Sequence, residues 1–134
     1  MITLKPFLKG SLILVCAVLL CSSRSANPID DQGRYKGVCL KGNVYISQDP
    51  YDDSAFKAYC CTLPDDADLY VYFVESGVRR RPGHWTIVRH REDADFCVYL
   101  MGSFEYEFLH IDKDFNVYAV DNWHDAGVMG VSYY

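Results

Sequence analysis

The chain has 134 residues, 13 Lys and Arg against 18 Asp and Glu, and a formal net charge of −5 with histidines neutral. This is the size of one domain with one core rather than of several. The acidic balance argues against nonspecific nucleic-acid binding, which rests on neutralising phosphates, so no nucleic-acid partner is expected.

Residues 1–26 have the order of a secretory signal peptide: Lys5 and Lys9, an apolar run over 12–20, then a polar stretch ending at Ala26. The apolar run is about half the roughly 20 residues needed to cross a bilayer, so a cut after Ala26 is expected instead of an anchor. No later stretch is long and apolar enough to span, and the product is expected to be secreted and extracellular. Removing 26 of 134 residues leaves 108, with 10 cations against 18 acids and a net charge of −8. These divide into a leader over 27–42 carrying Cys39, a β-repeat domain over 43–130 and a tail over 131–134.

Four cysteines remain after cleavage: Cys39, Cys60, Cys61 and Cys97. An even number in an oxidising compartment predicts two disulfides. Adjacent cysteines do not reach unstrained disulfide geometry, so Cys60 and Cys61 each pair with Cys39 or Cys97. No two have the short spacing that seats zinc, and neither a metal nor a cofactor is expected.

Three stretches from 43 onward are alike: 54–59 (SAFKAY), 67–72 (ADLYVY) and 94–99 (ADFCVY). With 43–46, 84–88 and 116–120 they place aromatic anchors at Tyr45, Tyr59, Tyr72, Trp85, Tyr99 and Tyr118, separated by 14, 13, 13, 14 and 19 positions. Each unit alternates in the manner of a strand, with turn formers between units. Leu69, Val71 and Phe73 share one face and Tyr70, Tyr72 and Val74 the other, so both faces are largely apolar. Strands of that kind belong inside a layered or wrapped structure. The fold class is all-β: about six repeats of 13–14 residues wound into one disulfide-stapled domain, with helix confined to a turn over 52–58. Alternation puts Cys61 and Cys97 on one face and Cys60 on the other, which predicts Cys61–Cys97 and Cys39–Cys60.

On these residues, the stretch 43–127 resembles the septoil-knot family, whose members repeat an Ala-Asp-x-x-Val-Tyr-x-Val unit about every 13 residues. Val71-Tyr72-Phe73-Val74, Trp85 in the fourth unit and the closing Ala126-Gly127 carry the resemblance. It implies a knotted, coiled β fold and no particular activity. The sequence departs from the pattern at Cys60-Cys61, where an aliphatic pair is usual, and in its cysteine-bearing leader. It also carries about six extra residues within 103–115. That insertion reads as a hairpin with a strand over 105–112, turning at Lys113-Asp114.

Three groups of side chains invite a functional reading. Arg79, Arg80, Arg81, Arg89 and Arg91, with His84 and His90, make a positive region in an acidic protein and suit an anion, unless they are solvated charges at the two ends of a strand about 17 Å long. His84, His110 and Glu107 are the candidates for proton exchange with a phosphodiester. Asp49, Asp52, Asp53, Asp65, Asp66 and Asp68 follow no calcium spacing and are expected to form turns. The preferred reading is a secreted, nonenzymatic binding or effector protein, in defence or stress, acting on an extracellular protein, glycan or anionic ligand. Its rivals are a small secreted nuclease or hydrolase, and a carrier of lipid or another small ligand.

Overall fold

The computed structural model describes residues 26–75 and 81–133. The expected signal peptide up to Ser25, and Arg79 and Arg80 of the arginine group, lie outside the described residues.

Six strands form a closed parallel barrel: β3 (Gly42–Ile46), β4 (Phe56–Cys60), β5 (Leu69–Phe73), β6 (His84–Val88), β7 (Phe96–Met101) and β8 (Phe115–Ala119). Each of the six aromatic anchors falls within one of them. Around the ring the order is β6, β3, β7, β4, β8, β5, closed by pairing of β5 with β6. The chain therefore circles the barrel twice. Its first lap lays down β3, β4 and β5 at alternate positions, and its second threads β6, β7 and β8 into the gaps between them.

Alternation along the strands produces the core. Val44, Ala58, Leu69, Val71 and Val98 point inward and are at most 1 % exposed. Tyr45, Tyr59, Tyr70, Tyr72, Tyr99 and Tyr118 occupy the intervening positions and are half-buried beneath the connections that run outside. Trp85 breaks this phase. It is level with Phe73 and Gly42, is fully buried, and donates its indole N–H to Leu40 O at 2.9 Å. Following level partners round the ring returns to β5 about twelve residues out of step, so the strands tilt steeply and the barrel is wide for its strand number.

Parallel neighbours normally need a crossover of a dozen or more residues, commonly a helix. Here the return from β6 to β7 takes only residues 89–95. Short 3₁₀ turns, Pro64–Asp66, Arg91–Asp93 and Trp123–Asp125, reverse the chain, and the alanine after each donates its N–H back to the first residue of the turn. After the first two, an aspartate follows the alanine and clamps the neighbouring strand. Asp68 Oδ2 accepts Asn116 N–H and Asp95 Oδ2 accepts Asn43 N–H, both at 2.8 Å, while each aspartate donates its own N–H to the same partner's carbonyl. Asp114 does the same for Lys57 without a preceding turn of this kind. The repeated Ala-Asp pair is thus a device for turning and docking a strand.

Before the barrel, β1 (Arg34–Tyr35) and β2 (Val38–Cys39) form a two-stranded hairpin, turned by Lys36 and Gly37 at φ 49° and 83°. Ile29, Tyr35 and Leu40 of this leader join the core. After it, β9 (Gly127–Val128) runs antiparallel to the start of β5, along the edge that β6 pairs further on.

Two expectations need correction. The insertion carries a helix, α1 (Ser103–Glu107), where a hairpin strand was expected over 105–112. Glu105 caps it by accepting Gly102 N–H at 2.8 Å, and Phe104 stacks on Phe108 one turn later, a spacing that serves a helix and not a strand. The second concerns the cysteines, all four of which are free thiols among the described residues. Phe56 is level with Val98, so Cys97 and Cys61 are separated by about 20 Å of strand rise, against about 7 Å between the Cα atoms of a disulfide. Cys39 precedes the N-terminal end of β3, whereas Cys60 ends β4 at the opposite end of the barrel. Alternation had assigned a face to each thiol and left its height along the barrel open.

Candidate functional site

At the N-terminal end of the barrel the inward side chains are large: Phe56, Leu69, Phe96 and Phe115, packed with Tyr35 in edge-on ring contacts such as Tyr35 on Phe115 at 5.2 Å. That end is plugged. At the C-terminal end the last inward residues are unequal. Phe73 and Leu100 are large, while Cys60 and Ala119 are small, and a cavity of about 270 Å³ opens between them above Val71, Val117 and Trp85. Phe73 is 43 % exposed there.

Other apolar side chains left in solvent belong to segments leaving the same end. Leu63 follows β4, Ile87 lies near the end of β6, and Phe104 and Phe108 follow β7 on α1 and its C-terminal turn. Phe104 and Phe108 are 58 % and 70 % exposed.

The two thiols at this mouth stay protonated. Burial, and then the Glu105 carboxylate, push the Cys60 thiol up. Burial does the same for Cys61, whose Sγ lies 3.2 Å from Val117 O as a donor. Glu105 itself sits below the usual carboxylate range, because it accepts Gly102 N–H and the Tyr99 hydroxyl. Among the described residues the mouth therefore presents two neutral thiols in an apolar wall, with the Glu105 carboxylate near enough for its charge to reach Cys60.

The candidate catalytic groups do not converge. His84 is fully buried, with its Nε2 3.0 Å from Trp123 O and its ring against Tyr72 and Trp123. His110 and Glu107 are exposed on the insertion, and His110 sits in a turn at φ 56°, not in an alternating strand.

The described arginines do not form one patch either. Arg81 is buried, donates to Trp123 O and His124 O, and covers the Tyr133 ring at 4.9 Å, so it pins the C-terminal tail. Arg89 is exposed at the far end of β6. Arg91 pairs with Asp52 at 2.7 Å and lies over Tyr45. Hydrogen bonds from Ser54, Arg91 and Ser47 hold the Asp52 carboxyl far below the usual range.

The aspartates behave as turn formers. Asp49 accepts Tyr51 N–H and Asp52 accepts Ser54 N–H, each at 2.9 Å. A broad cleft of about 770 Å³ beside Asp65, Asp66, Asp68 and Asp114 is acidic, but Asp68 and Asp114 are engaged in holding strands. Among the described residues no group of three or more His, Cys, Asp or Glu is placed to hold a metal ion.

Sequence reasoning missed the mouth residues Phe73, Leu100 and Ala119. The available signal was a difference of size at equivalent positions, Cys60 and Ala119 where other units carry Ile46, Phe73 or Leu100. In comparison with known proteins, the family described as 7(1) septoil knot domain matches residues 37–129. Neither curated proteins nor solved structures give a match.

Proposed function

The chain belongs to the septoil-knot family, and from that premise we propose that it is an exported, nonenzymatic binding protein that meets an extracellular partner with the open end of its barrel. The observation that carries this reading is the concentration of exposed apolar side chains, Phe73, Ile87, Phe104 and Phe108, on segments at or leaving that end. Exposed apolar groups are ordinary one at a time, and gathered on one face they mark a place of contact. A rigid barrel loses little freedom on docking, which favours affinity. The two interleaved laps support the finer reading that six copies of one unit wind into a knotted backbone. Residues 1–26, which have the order of a signal peptide, support export.

Incubating the purified protein with labelled RNA tests the nonenzymatic part. No cleavage above the buffer blank is expected, for the parent or for His110→Ala. Cleavage by the parent that disappears in His110→Ala or Glu107→Gln would replace the proposal with a nuclease.

A further inference from the structure

We infer that the mouth of the barrel binds a neutral, apolar small molecule, held between Phe73 and Leu100 on a floor of Val71, Val117 and Trp85. This rests on the reading of the chain as a binding protein and gives that reading a ligand class.

Size comes first. An aliphatic cavity of about 150 Å³ takes up benzene, so one of about 270 Å³ suits a molecule of about ten carbon atoms, close to naphthalene. It is small for a long lipid chain, since sites for drug-sized ligands run from about 300 Å³ upward. The space exists because the last inward positions of β4 and β8 are occupied by the small residues Cys60 and Ala119. A side chain as large as leucine at either would narrow it and crowd a ring seated there. The wall then sets the polarity. Beside hydrocarbon it offers the two thiols and Tyr118, and both thiols keep their protons. An anionic ligand beside Cys60 would be repelled by the Glu105 carboxylate, whose charge already reaches that thiol. Burying an unpaired charge in such a wall is costly, and a neutral molecule avoids the cost.

The test uses purified protein and naphthalene, followed by ligand-detected NMR and by the thermal midpoint. Saturable naphthalene binding that raises the midpoint is expected, with 2-naphthoate at pH 7 weaker by about ten-fold or more. Cys60→Leu should weaken naphthalene binding by about ten-fold or more while leaving the protein folded with an equal or higher midpoint. Ala119→Leu narrows the same space from β8 and replaces Cys60→Leu should that variant not fold. Tyr51→Ser removes an exposed aromatic that does not line the cavity and should bind as the parent does. Absence of saturable binding, or undiminished binding by a folded leucine variant, overturns the inference. A result in which naphthoate binds as well as naphthalene overturns its neutral class. None of these outcomes touches the broader reading, which falls only if the protein turns over a substrate.

Discussion

Tyr35 is the residue at which the leader and the barrel are tied together. Its ring lies among Phe56 and Phe115, and its hydroxyl donates to Asp114 Oδ1 at 2.9 Å, while Asp114 Oδ2 accepts Lys57 N–H. Burial first, and then the hydrogen bond and charge of Asp114, push the phenol from 10.0 to about 12. The folded state therefore favours the protonated ring. The stability this contributes is whole below pH 10 and is lost as the pH rises through about 12. Absorbance at 295 nm should show one tyrosine ionising near pH 12 in the parent and distinctly earlier in Asp114→Asn; coincident titrations would show that Tyr35 is not so placed. Little of this was legible from residue types. Arg81 and His84 read as site chemistry because they are chemically versatile, and the fold uses both against backbone carbonyls of a segment some 40 positions away. No local spacing announces such a meeting.

Between residue and barrel stands the turn unit. The Ala-Asp pair was visible as a repeat, and the aspartates were read as turn formers; their further reach across to a parallel neighbour depends on which strand that neighbour is. Asp68 is buried, and Asn116, whose N–H it accepts, also donates its side-chain amide to Asp66 O. Asp68→Ala leaves that N–H without its acceptor and should cost about 1–3 kcal/mol, read as a lower urea midpoint at unchanged slope. A midpoint within error of the parent would mean the clamp is ornamental. The insertion was harder to read. Its alternating letters fit a strand until Gly102 is seen as a cap site and Phe104 and Phe108 as neighbours on a helical turn, and a five-residue helix leaves too short a period to recognise.

For the molecule as a whole, the aromatic anchors located every barrel strand, while their order around the ring was hidden, since pairing is a property of the winding and not of any unit. The cysteines show the same division. Peptide mapping of the unreduced protein should recover no Cys61–Cys97 link, because about 20 Å of strand rise lies between them; a major yield of that link would refute the register. The winding has one more consequence. Among the described residues every ladder within the barrel joins a strand of the first lap to a strand of the second, and β3, β4 and β5 share none with one another. A nascent chain that has emerged only as far as Phe73 owns three barrel strands and no ladder partner for any of them. Such a protein cannot be assembled in instalments: the opening half waits, unpaired, for the closing half to arrive, and neither could be inherited or lost as a module.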